Sequence, residues 1–166
     1  SNPVDLLSYT AVVEGYNPKK IIGTGTIVDS ARLMSLLGKK YNVDPKNIFG
    51  YLLGEHGKSS FIPWRIAGIC GYEFDTFAQI RGLEEELNKK EIEKQVKKMG
   101  HQIWRKKGYT NHGIAAGVNR IVKAISLDEK TVLPVSVYLT GEYDIKNVSL
   151  SVPCIIGKEG IEKELE

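Results

Sequence analysis

The sequence predicts an α+β domain in which long helices pack on mainly antiparallel strands, and three observations carry that expectation. Apolar residues recur at helical spacing through several long stretches. Two stretches near the C-terminus alternate apolar and polar residues on either side of a turn containing Gly141 and Asp144, which reads as an antiparallel hairpin. No series of strand–helix–strand units, the mark of a parallel sheet, is present.

Taken in order, residues 3–14 read as a first helix that Gly15 and Asn17-Pro18 end. Residues 21–25 form a short apolar lead into a loop. A second helix follows over 26–41, with Thr26-x-x-Asp29 resembling a capping box and Ile27, Ala31, Leu33 or Leu37, and Met34 as its apolar stripe. Asp44-Pro45 breaks it. Residues 48–55 are short, apolar and aromatic, and read as a buried strand. A second strand over 62–70 returns beside it. Residues 72–82 carry no assignable pattern. Ile92, Val96, Met99 and Ile103 place a helix over 87–107, ended by Gly108, and another helix spans 110–125. Strands over 132–139 and 148–156 make the hairpin, and residues 160–166 read as the start of a polar helix. That unfinished end and the start at Ser1-Asn2-Pro3 without Met suggest that 1–166 is one domain of a longer protein.

Bulk properties narrow the function. The 166 residues are 42% hydrophobic and 26% charged, ordinary for a globular domain. The net charge of +3 is small and its cations are dispersed, so no nucleic-acid footprint is visible. The densest charge run, residues 84–98, alternates in sign and reads as a solvated helix face. No apolar run reaches the ~20 residues of a membrane span, and no signal peptide opens the chain, so a cytoplasmic location is the expectation. Cys70 and Cys154 both sit in apolar runs and read as buried free thiols. His56, His101 and His112 lack a helical i, i+4 ligand pair, so no metal site is expected.

Three residues could carry chemistry. His56 lies in Gly54-Glu55-His56-Gly57 at the end of an expected strand, where flanking glycines leave the ring accessible for proton exchange near neutral pH. Alone, it reads as a surface or structural histidine at a turn. Asp29 and Arg32 stand three apart on one helix face. A carboxylate beside an imidazole fixes its tautomer and stabilises its cation. A guanidinium fork suits a planar carboxylate. On spacing alone the pair also fits a surface ion pair. Together the three describe a site for a small anionic substrate. No Gly-x-Ser-x-Gly elbow supports a hydrolase, and Gly23-Thr24-Gly25 lacks the third glycine of a dinucleotide fingerprint.

Asn2-Pro3-Val4-Asp5, Gly23-Thr24-Gly25-Thr26, Val28-Asp29-Ser30-Ala31-Arg32, Gly54-Glu55-His56-Gly57 and Lys107-Gly108-Tyr109-Thr110 resemble, in order and spacing, the L-lactate/malate dehydrogenase family, nearer to L-lactate dehydrogenases. The resemblance implies the fold of that family's C-terminal, substrate-binding domain, without the Rossmann half that binds NAD and without a final helix. It implies that His56 exchanges a proton with the C2 oxygen of a 2-hydroxy or 2-oxo acid while NAD exchanges a hydride with C2. Asp29 would hold the imidazolium and Arg32 the C1 carboxylate. Asn2 would lie near the nicotinamide and the reacting oxygen, and Thr110 would line the side-chain pocket. A homodimer or homotetramer is implied, and residues 1–166 alone would be inactive.

Other readings remain open at this stage. Malate or a branched-chain 2-hydroxy acid could be the substrate, and a non-catalytic oligomerisation or binding module could share the fold. Two departures from the family bear on behaviour. Lys58 replaces an aspartate after the Gly-Glu-His-Gly motif, reversing a charge beside the site. Met34 and Phe49 stand where the family's fructose 1,6-bisphosphate-activated members carry arginine and histidine, so that activation is expected to be missing.

Overall fold

The computed structural model describes residues 3–83 and 86–166. Five helices and five strands follow in the order α1 (Val4–Val13), α2 (Ile27–Tyr41), β1 (Ile48–Phe49), β2 (Gly68–Ile69), α3 (Phe74–Ile80), α4 (Lys89–Lys107), α5 (Asn111–Ser126), β3 (Thr131–Thr140), β4 (Lys146–Gly157) and β5 (Gly160–Glu164). All strand pairing between these elements is antiparallel, β1 with β2 and β3-β4-β5 in a second sheet. The fold is α+β.

The alternation in β3 and β4 sorts side chains to two faces of the larger sheet. Val135, Val137 and Leu139 of β3 join Val152, Cys154 and Ile156 of β4 in a core closed by Ile121 and Ala124 of α5 and by Ile27 and Val28 of α2. Ser136 pairs with Ser151, and Tyr138 with Ser149, on the other face. That face meets α1, where Tyr9 packs on Tyr138 with ring centroids 5.8 Å apart. Ser149 and Ser151 are therefore buried, because helices cover both faces.

A second core lies beyond α2. Leu33, Leu37 and Tyr41 pack with Ile48 and Ile69 of the small sheet, Phe74 of α3, and Ile92 and Val96 of α4. One helix thus feeds both cores, its first turn facing the larger sheet and its later turns the smaller one. The stripe is Leu33, Leu37 and Tyr41, and Ala31 is exposed.

Several expectations are corrected. The strands expected over 48–55 and 62–70 shrink to two residues each. Pro63 has no N–H to give a ladder, and a 3-10 turn follows at Trp64–Ile66. Leu53 and Gly54 form single bridges to Phe61 and Ser151 instead. The unassigned 72–82 region contains α3. Residues 160–166 hold strand β5, not a helix start. Gly160, at φ +95°, turns the chain back on β4 where a side chain would strike the Lys19 carbonyl. Cys70 is exposed, held in the left-handed region at φ +52°, while Cys154 is buried and its thiol is pushed up to about 12 by desolvation. The capping box does not form. Thr26 donates its hydroxyl to the Leu52 carbonyl and its N–H to Ser151 Oγ, tying the start of α2 to the loop before His56 and to β4. No helix among the described residues is long and apolar enough to cross a membrane.

Candidate active site

The seam between the two cores is where α2 exposes one polar face. Asp29 and Arg32 occupy it, their three-residue spacing aligning both side chains. Arg32 Nη1 donates to Asp29 Oδ1 at 2.7 Å. The surface ion pair that spacing also allowed is excluded by burial, since the two side chains are only 18% and 13% exposed.

His56 reaches the same seam from a loop with two anchors. Gly54 exchanges both backbone hydrogen bonds with Ser151 of β4. The His56 backbone N–H donates to Asp5 Oδ2 of α1 at 2.8 Å, and Ser136 Oγ of β3 donates to the other oxygen of Asp5 at 2.5 Å. The imidazole Nδ1 then lies 2.8 Å from Asp29 Oδ2. The contact is fixed by distance and charge more than by hydrogen-bond angle. The Asp29 contact raises the His56 pKa above its ordinary value; burial lowers it, the charges of Asp29 and Asp5 raise it, and that of Arg32 lowers it. With Nδ1 held by Asp29, Nε2 is the nitrogen left for proton exchange with a ligand.

Asp29, Arg32, His56 and Thr110 line one cleft of about 560 Å³. Thr110 sits at the N-cap of α5, two residues after the left-handed Gly108 that ends α4, and its side chain makes no capping bond. Asn2 lies outside the described residues. Sequence reading missed the fourth wall, which α4 supplies through Lys97, Gly100, His101 and Trp104. These recur at helical spacing beside the apolar stripe, a second periodicity that could have marked them. His101 stacks on Trp104 with centroids 5.7 Å apart. Gly100 lets the guanidinium of Arg32 approach, since a Cβ there would lie 3.0 Å from Nη1. Lys58 lines the cleft, and its carbonyl accepts a hydrogen bond from Lys97 Nζ at 3.0 Å. Arg32, Lys58 and Lys97 against Asp29 make the cleft cationic, which suits a small anion.

Gly23-Thr24-Gly25 is no phosphate cradle. Gly23 bridges Ser136 of β3, and a Cβ on Gly25 would lie 2.6 Å from the Ser136 nitrogen. Both glycines are used for close packing on the sheet. The described residues contain no group of three or more His, Cys, Asp or Glu residues that could hold a metal ion.

Residues 26–166 match the pattern of the lactate/malate dehydrogenase alpha/beta C-terminal domain. The chain belongs to that family. L-lactate dehydrogenase 2 of Clostridium acetobutylicum is 49% identical over 167 residues, covering 100% of this chain and 52% of the relative. L-lactate dehydrogenase of Clostridium botulinum is 44% identical, covering 99% of this chain and 52% of its own. The solved structure of malate dehydrogenase from Aeropyrum pernix superposes with a TM-score of 0.88 at 33% identity, covering all of this chain and 53% of that one. The chain spans about half the length of the curated relatives it matches. The lactate/malate dehydrogenase C-terminal fold is therefore the frame in which the cleft is set.

Proposed function

We propose that this chain is the substrate-binding and proton-transferring domain of an L-2-hydroxyacid dehydrogenase that interconverts lactate and pyruvate. One observation carries the reading: an imidazole 2.8 Å from a carboxylate shares a cleft with a guanidinium that the same carboxylate holds at 2.7 Å. Arg32 binds the substrate carboxylate through paired hydrogen bonds and so fixes the C2 oxygen near His56. The imidazolium gives its proton to that oxygen as the 2-oxo acid is reduced, and the neutral ring takes it back on oxidation. Asp29 stabilises the charged ring and holds its tautomer. Thr110 borders the substrate's side chain, and Asn2 is assigned to the side where substrate meets cofactor.

The hydride comes from a carrier that these residues do not cradle; NAD, bound by a further domain of the whole protein, is the carrier proposed. The whole protein is proposed to work in the cytoplasm as a homodimer or homotetramer. The names of the clostridial relatives favour lactate as substrate. The likeness to the Aeropyrum malate dehydrogenase favours a second reading, in which the cationic wall of Lys58 and Lys97 accommodates a second substrate carboxylate.

The test is steady-state turnover by the full-length protein with NADH and either pyruvate or oxaloacetate. Higher kcat/KM on pyruvate supports the lactate reading. Preference for oxaloacetate transfers the assignment to malate, and turnover of neither overturns the function.

A further inference from the structure

His56 stands between two cavities. The substrate cleft holds Asp29 and Arg32, whereas a second cavity of about 520 Å³ lies between the His56 loop, α1 and β4 and is lined by Asp5 and Glu55. Asp5 does more than border it. One carboxylate oxygen accepts the His56 backbone N–H at 2.8 Å, and the other accepts Ser136 Oγ, which is fully buried in the sheet. One side chain in the first turn of α1 therefore ties the loop that carries the imidazole to strand β3, through a residue 131 positions away in sequence. His56 thereby meets two carboxylates from two helices, Asp29 at its ring and Asp5 at its backbone N–H.

We propose that Asp5 is a positioning residue of this site, holding the His56 loop in register with Asp29 and supplying a second negative charge to the imidazolium. The inference rests on the proton-transfer role assigned to His56 above. Other charged groups face the same ring or line its cleft: Asp29 and Arg32 from α2, Lys97 and His101 from α4, and Glu55 and Lys58 from its own loop. Asp29 raises the ring's proton affinity and so does the charge of Asp5, while Arg32 lowers it. Asp5 is the member of the pair that also fixes backbone, so it links where the ring sits to how strongly it holds its proton.

Asp5→Asn separates the two roles, because its amide oxygen can still accept the His56 N–H while its NH₂ donates to Ser136 Oγ. The charge is lost and the hydrogen bonds are kept. NMR titration of the His56 ring in the full-length protein should show the midpoint falling in Asp5→Asn, as loss of one nearby negative charge requires. Ser136→Ala, a milder change should the first variant not fold, should speed amide exchange at His56 by releasing one anchor of the carboxylate. An unshifted midpoint in Asp5→Asn, or unaltered His56 exchange in Ser136→Ala, overturns the proposal. Both readouts are independent of turnover, so a failed dehydrogenase assay would refute the function while leaving this test intact.

Discussion

Asp29 serves two partners with its two oxygens, one toward His56 and one toward Arg32, and the consequences of removing it differ from those of removing either neighbour. Asp29→Asn withdraws the largest cause of the raised His56 pKa. Reduction of a 2-oxo acid needs the imidazolium, so the high-pH limb of the kcat/KM profile should move to lower pH in this variant, as full-length protein assayed across pH will show. Stability follows the same sign. A pKa raised on folding stabilises the native state fully below the unfolded value of about 6.5, and that contribution fades as pH rises through the folded value. Denaturant melts of Asp29→Asn should lose this pH dependence. Arg32→Ala leaves a carboxylate-binding site without its fork and should weaken oxamate binding by about 2–5 kcal/mol, tens- to thousands-fold in Kd by calorimetry. The Asp29–Arg32 pairing was legible from a spacing of three on a helix. Its meeting with His56 was legible only through the family resemblance and not from spacing, because it depends on Gly54 bridging Ser151, nearly a hundred residues away. Asp5 stood within a motif yet carried no readable role, since its partner Ser136 is equally remote.

At the scale of elements, the long helices and the hairpin were readable because their periods persist over ten or more residues. What failed were short or locally ambiguous pieces. Leu52, Leu53 and Ile62 are buried as strand residues would be, but Leu53 makes a single bridge to Phe61. Leu52 bonds to the side chains of Ser30 and Thr26, and the Ile62 carbonyl accepts from Trp64 in a turn. Burial alone does not distinguish these from a ladder. The charged end at residues 160–166 reads as helical because Glu and Lys favour helices. The turn at Gly157–Gly160 and the burial of Ile161 decide for a strand. Gly160→Ala tests that turn: a side chain at φ +95° meeting the Lys19 carbonyl should cost about 1–3 kcal/mol in urea denaturation. Leu37→Ala, a truncation of a fully buried residue of α2, should cost about 2–5 kcal/mol in the same assay. Since α2 joins both cores, that loss should also loosen the cleft and raise KM for substrate.

On the scale of the whole molecule, the chain accounts for one half of the proposed reaction, the proton and the substrate carboxylate. Residues 1–166 alone should give no turnover of pyruvate and NADH, because hydride transfer needs a cofactor held against the substrate and Gly23-Thr24-Gly25 is spent on packing against the sheet. Sugar bisphosphate should leave the full-length protein's rate unchanged. Met34 packs against the α2 core and Phe49 packs edge-on against Tyr51 at 5.0 Å, so neither position offers a cation to phosphate. The central claim is that His56 is the proton donor to a bound 2-oxo acid. Its most direct measurement is pyruvate reduction by full-length His56→Asn beside the unaltered protein. The account predicts a loss of about 10²–10⁴-fold in kcat with the fold intact by circular dichroism. A folded His56→Asn protein that reduces pyruvate at the unaltered rate would contradict it.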